Sequence, residues 1–189
     1  MKKVQNFQKK LIRMDQLLSF NKQDIKYEIL REALEFMTEI GSSISVLFLF
    51  LIMSLVIDWK LIFLFLPIYL FQVLVVETVK LTFRRKRPKS YTHRNFLGLK
   101  STSGSFPSGH TSNMFCLGYL LCNYFQTGLL ITTVIFLIAG YIGLSRVLLG
   151  KHYLIDVLAG AVIGLSLAIL GTFIWIYLYT NTGFIPRIG

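Results

Sequence analysis

Acidic residues are scarce in this chain: nine Asp and Glu stand against 20 Lys and Arg, giving a net charge of +11. No carboxylate cluster or histidine-rich ligand set accompanies the basic residues, so no metal or other cofactor is expected. Cysteine is nearly absent as well. Cys116 and Cys122 lie six apart inside one apolar run, a spacing that matches neither a zinc nor a redox motif, and they read as core thiols. No helix-turn-helix, zinc-finger or RNA-recognition pattern accompanies the positive charge, which excludes nucleic acid as the expected partner. The first 20 residues begin basic but carry no apolar stretch, so a cleaved signal peptide is not expected. Internal repeats and low-complexity segments are also missing.

What the chain has is apolar sequence in long runs. Hydrophobic residues make up 54% of 189 positions, only modestly above a soluble domain, but their arrangement is distinctive. A membrane-crossing helix needs roughly 20 apolar residues, with ~17 at the lower end. Four or five runs of that kind fit, joined by short connections. The expected fold is therefore all-α: a polytopic membrane helix bundle of about five spans plus an N-terminal amphipathic helix. Residues 1–40 are read as a basic tail and amphipathic helix, 41–179 as one membrane domain, and 180–189 as a short tail.

Within 21–40, Ile25, Ile29, Ala33, Phe36 and Ile40 recur at helical spacing among Lys26, Glu28, Arg31 and Glu35. That pattern predicts an amphipathic helix lying in the interface plane, with packing on the bundle as the other option. Spans are expected over 41–57, 61–79, 109–125, 128–144 and 152–179. Asp58-Trp59-Lys60 reads as a tight turn, and Pro67 as a tolerated kink. The stretches 80–106 and 145–151 become loops on the same side of the membrane. Gly160, Gly164 and Ala168 form a small-residue stripe that lets helices approach closely.

Three stretches carry chemistry. If the second helix continues towards Pro88, Lys80, Arg84 and Arg87 share one face. Arg84, Arg85 and Lys86 are read as a snorkelling, headgroup-binding rim. Lys80 and Arg87 are read as phosphate binders, because guanidinium suits bidentate contact and ammonium supplies a compact charge. The second stretch, Gly104-Ser105-Phe106-Pro107-Ser108-Gly109-His110-Thr111-Ser112, runs directly into an apolar helix. The first amides of that helix are free to bind an anion, with His110 in the first turn beside it. The third comprises Ser145-Arg146, His152 and Asp156. Four apart on a helix, His152 and Asp156 share a face. The carboxylate can accept one imidazole N–H and leave the other nitrogen as a nucleophile. Taken singly, each stretch also reads as a loop rim, an ordinary helix cap or a structural His–Asp pair.

In combination, Lys80-x6-Arg87-Pro88, Pro107-Ser108-Gly109-His110 and Ser145-Arg146-x5-His152-x3-Asp156 resemble the three-part signature of the type 2 phosphatidic acid phosphatase superfamily. The resemblance covers roughly residues 40–178. It implies that Lys80, Arg87 and Arg146 hold phosphoryl oxygens, assisted by the amides around Ser108 and Gly109 and the Ser108 hydroxyl. It further implies that His152 attacks phosphorus while Asp156 orients it and balances its charge, and that His110 protonates the leaving oxygen and then activates water. No metal takes part. His93 lies outside the motifs and is read as surface. Glu77, one turn before Lys80, could pair with it.

The expected partner is a membrane lipid phosphate or diphosphate whose tail stays in the bilayer: phosphatidic acid, phosphatidylglycerol phosphate, undecaprenyl diphosphate or a lipid A phosphate. A lipid phosphotransferase using the same intermediate, or a non-catalytic lipid-phosphate binding or transport protein, are the alternatives. Sidedness is read two ways. Only Lys60 and Arg187 fall opposite the loops, which by the positive-inside rule puts the site in the cytoplasm. The resemblance implies the outer face of a bacterial cytoplasmic membrane, and that is the expectation adopted.

Overall fold

The computed structural model describes residues 34–88 and 104–182. Their regular structure is all helical, with no strand among the described residues. A short helical segment, Leu34–Gly41, leads into α1 (Ser43–Val56). There follow α2 (Leu61–Phe83), α3 (Gly109–Tyr124), α4 (Leu129–Leu148) and α5 (Leu154–Thr182). By length and composition α2, α4 and the Leu154–Leu178 part of α5 can cross a membrane, and the bent pair Leu34–Gly41 and Ser43–Val56 supplies a fourth such element. The remaining expected span, 109–125, forms α3, which has only 16 residues and opens with Gly109, His110, Thr111, Ser112 and Asn113. Protein rather than lipid surrounds it: Thr111, Ser112, Asn113, Cys116, Leu117 and Leu120 are all buried.

The spans show large side chains to their surroundings, as acyl-chain solvent permits: Leu70, Phe71 and Leu74 on α2, Leu137 on α4, and Leu158 and Phe173 on α5 are exposed. Inside, Phe50 packs against Phe65 in a tilted pair and edge-on against Tyr69, at centroid distances of 4.9 and 5.3 Å, joining α1 to α2 over Leu117 and Leu120 of α3. The Asp58-Trp59-Lys60 turn forms as expected. Asp58 Oδ1 accepts the Lys60 amide at 2.9 Å, and its other oxygen accepts from Tyr124 Oη at 3.3 Å.

The small-residue stripe works inside the bundle. A Cβ on Gly160 would sit 2.5 Å from the Ser108 carbonyl oxygen, and one on Gly164 would overlap the Ser112 carbonyl. Only hydrogen at these positions lets α5 lie against the α3 backbone, and this contact brings the third motif onto the second.

Residues 21–33 of the expected amphipathic helix lie outside the described residues. Its described end departs from expectation. Leu34, Thr38 and Gly41 face inward, while Phe36 and Ile40, expected on the apolar face, are exposed at 82% and 54%. This end therefore packs on the bundle, bent 60° from α1. The bend frees the Gly41 carbonyl, and the buried Asn113 amide donates to it at 3.0 Å and to Ser43 Oγ at 3.2 Å. A polar residue thus satisfies backbone that a straight helix would have satisfied itself.

Candidate active site

Lys80 sits in the last turn of α2, nearly buried, with Nζ paired to Glu77 at 2.5 Å. The helix does not continue towards Pro88. Arg84 adopts the left-handed conformation (φ 43°) and caps α2 through its amide to the Lys80 carbonyl at 2.9 Å. The expected shared face of Lys80, Arg84 and Arg87 is therefore absent. The reversal leaves Arg84 exposed and turns Arg85 inward to 4% exposure, so Arg85 is no headgroup rim. Arg87 stays partly buried and donates from Nη1 to the Lys151 carbonyl at 3.3 Å, which ties the segment after α2 to the turn before α5.

Ser108 caps α3. Its Oγ accepts from Thr111 Oγ1 at 2.9 Å and, at 3.5 Å, from the Thr111 amide. The Ser108 amide, expected to face an anion, instead donates to the Asp156 carbonyl at 2.9 Å. The amides of Gly109 and His110 remain at the open end of the helix, where no carbonyl lies one turn behind them. Gly109 also makes room for the first motif, since a Cβ there would stand 3.0 Å from Lys80 Nζ. His110 lies within electrostatic range of Arg146, His152, Lys151 and Lys80, and its buried Nε2 has no hydrogen-bond partner among the described residues.

Ser145 and Arg146 are in the last turn of α4 rather than in a loop, because that helix runs on to Leu148. Arg146 is buried; Nη1 donates to Thr38 Oγ1 at 3.0 Å and lies 3.9 Å from Glu39 Oε1. The Arg146 carbonyl receives the amides of both Lys151 and His152, and Gly150 (φ 66°) supplies the left-handed residue this turn requires.

His152 precedes α5 instead of opening it, so it and Asp156 are not one turn apart on a helix face. Asp156 lies in the first turn, where Oδ2 accepts the Tyr153 amide at 3.0 Å, as an acid at that position of a capping box does. Its Oδ1 accepts from Arg85 Nη1 at 2.6 Å. His152 Nδ1 is 3.7 Å from Asp156, too far for a hydrogen bond, and 2.7 Å from the Ser105 carbonyl oxygen. A carbonyl only accepts, so Nδ1 carries a proton, and in the neutral ring Nε2 is the nitrogen that keeps its lone pair. The partner expected from sequence was the carboxylate; the structure uses a backbone oxygen. Burial, joined by the Arg87 and Arg146 charges, pushes the imidazole from 6.5 down to about 4 against the opposing pull of Asp156. At neutral pH the ring is uncharged.

All eight expected residues, Lys80, Arg87, Ser108, Gly109, His110, Arg146, His152 and Asp156, converge at one end of the bundle. Three further residues join them that sequence reasoning missed: Arg85, Ser105 and the buried Lys151. Arg85 looked like one charge in a solvated run. Ser105 acts through its backbone, which carries no residue signal. Ser105 also donates its amide to the Arg85 carbonyl at 2.8 Å and its hydroxyl to the Lys86 carbonyl at 3.2 Å, so the first and second motifs are laced together here. Among the described residues no cluster of His, Cys, Asp or Glu could hold a metal ion.

Comparison with known proteins gives a consistent result. The family model described as the PAP2 superfamily matches residues 59–182. The chain is 31% identical over 122 residues, 51% of its length, to a protein of Arabidopsis thaliana named probable lipid phosphate phosphatase beta. It is 39% identical over 77 residues, 36% of its length, to phosphatidylglycerophosphatase B of Bacillus subtilis. These alignments span 57% and 38% of the two relatives. The crystal structure of a PAP2-type phosphatidylglycerolphosphate phosphatase from Bacillus subtilis superposes with a TM-score of 0.73 at 27% identity, covering 89% of this chain and 87% of that one. LpxE of Aquifex aeolicus superposes with a TM-score of 0.65 at 25% identity, covering 86% and 94%.

Proposed function

The chain belongs to the PAP2 superfamily, and from that membership we propose that it is an integral-membrane phosphatase that hydrolyses a lipid phosphate or diphosphate through a phosphohistidine. The observation that carries this reading is the convergence of Lys80, Arg87 and Arg146 with two histidines, one of them held as a neutral Nδ1–H tautomer by Ser105. Lys80, Arg87 and Arg146 would bind the equatorial phosphoryl oxygens, where phosphoryl transfer needs its charge balanced. The amides of Gly109 and His110 would add donors at the start of α3.

His152 Nε2 would form the bond to phosphorus as the bond to the lipid oxygen breaks. His110 would give that oxygen a proton; the phosphate charge bound beside it favours its protonated form. A water molecule would then pass a proton back to His110 as its oxygen attacks phosphorus and the P–N bond breaks. Asp156 would balance the positive charge on the phosphorylated ring. None of these steps draws on a metal.

Lipid tails would lie against the exposed apolar faces of the bundle. Phosphatidylglycerol phosphate stands first among substrates to test, because the matched Bacillus subtilis sequence and the matched Bacillus subtilis structure are both named for it. The site would open at the outer face of a bacterial cytoplasmic membrane. A cysteine at Ser101 that reacts with an impermeant reagent only after permeabilisation would reverse that orientation.

The test is phosphate release by the purified protein in detergent with EDTA, across a panel of lipid phosphates and diphosphates, beside His152→Ala. Release lost by about 10³-fold or more in the variant is expected. No release from any lipid by a folded protein would overturn the reading.

A further inference from the structure

The two oxygens of Asp156 have separate partners. Oδ2 accepts the Tyr153 amide, while Oδ1 forms a fully buried ion pair with Arg85 Nη1 at 2.6 Å. The Arg85 guanidinium also stacks on the Tyr153 ring, 4.2 Å from its centroid, which fixes the fork in place. The backbone of the same residue reaches the other neighbour of His152: the Arg85 carbonyl accepts the Ser105 amide, and the Ser105 carbonyl accepts His152 Nδ1–H. Arg85 therefore restrains both groups that could govern the His152 ring, the carboxylate through its side chain and the carbonyl through Ser105.

We infer that Arg85 is a positioning residue that keeps His152 a neutral nucleophile by holding the Asp156 carboxylate off its ring. The inference rests on the histidine chemistry proposed above. A buried carboxylate hydrogen-bonded to an imidazole stabilises the imidazolium, and a protonated ring cannot attack phosphorus. At 3.7 Å the carboxylate is withdrawn from such a bond in the resting site. It is still near enough to balance the charge that appears once Nε2 is bonded to phosphorus. Arg85 so divides the work of one carboxylate between the two stages. Among the described residues, the other charged or titratable groups acting on His152 are Arg87 after α2, Arg146 at the end of α4, Asp156 on its own segment and His110 on α3, with Lys151 adjacent in the chain and beside His110. Burial and the cations oppose protonation of the ring, and Asp156 is the group among these that favours it.

The test is a pH titration of the 189-residue protein in detergent with ¹³C-labelled histidine, read by NMR, with the His152 signal assigned by its loss in His152→Ala. Arg85→Gln frees Asp156 to bond the ring, and the His152 midpoint is expected to rise by about one pH unit or more. In Arg85→Gln combined with Asp156→Asn the rise is expected to vanish. Arg85→Lys keeps a charge but loses the stacked fork, and a smaller rise is expected; it also serves if the glutamine variant does not fold. A midpoint in a folded Arg85→Gln or Arg85→Lys protein no higher than in the parent overturns the inference. Failure of the phosphohistidine reading shows differently, as phosphate release that survives His152→Ala, and it leaves the titration readable.

Discussion

His152 Nδ1 lies 2.7 Å from the carbonyl oxygen of Ser105 and 3.7 Å from Asp156. Backbone thus fixes the tautomer of the proposed nucleophile, and the carboxylate is left to act through its charge. The two jobs can be separated by mutation.

Asp156→Asn is expected to lower kcat by about 10²-fold, the scale of losing roughly 2–3 kcal/mol of charge stabilisation, while His152→Ala removes at least about 10³-fold. The asparagine also leaves Arg85 a buried cation without its carboxylate, which costs about 3–5 kcal/mol of stability. Phosphate-release kinetics and thermal melts in detergent check both parts. Equal kinetic losses in the two folded variants would mean that Asp156, not Ser105, orients the ring.

The protein should lose stability in acid because of His152. In the unfolded chain the imidazole takes its proton near 6.5, in the folded one only near 4, so between these values protons favour unfolding and stability falls as pH drops. Over that interval the loss approaches roughly 3 kcal/mol, at ~1.4 kcal/mol per unit. Melting the wild type and His152→Gln between pH 7 and pH 4.5 should show a steeper decline for the wild type. Parallel declines would contradict the burial of a neutral ring.

Thr38 accepts a hydrogen bond from the buried Arg146 guanidinium at 3.0 Å. Thr38→Val keeps the side-chain shape and removes the acceptor, so the guanidinium loses that buried hydrogen bond, at a cost of about 1–3 kcal/mol. With Arg146 less well aimed at the phosphate, a rise in KM of roughly tenfold is expected with a smaller change in kcat. Unaltered kinetics would show that Thr38 does not set the position of Arg146.

Gly164→Ala is expected to destabilise the protein and lower activity together. Its Cβ overlaps the Ser112 carbonyl, and overpacking of this kind costs about 1–3 kcal/mol. Moving α5 away from α3 also draws His152 and Asp156 from the amides of Gly109 and His110. Gly128→Ala is the control, since nothing lies within 4 Å of a Cβ there. A melt of Gly164→Ala matching that of the parent would remove the packing argument.

The sequence by itself determined a great deal here. Apolar runs interrupted by charge require helices in a membrane, because a bilayer offers no partner for unpaired backbone groups. The three motifs, each at the end of an apolar run, named the eight residues that converge. These signals are legible because side-chain type and spacing carry them. The tertiary structure decided the rest. Arg84 ends α2 in a left-handed turn, which converts Arg85 from an apparent surface charge into the buried partner of Asp156. Helix α5 starts two residues after His152, which gives the ring to a carbonyl instead of the carboxylate. Leu34–Gly41 folds inward so that Thr38 reaches Arg146 across 108 residues of chain. Each of these depends on where a helix stops and on which backbone oxygen is left without a partner. Backbone groups are alike at every residue, so only the packed bundle settles which of them meet.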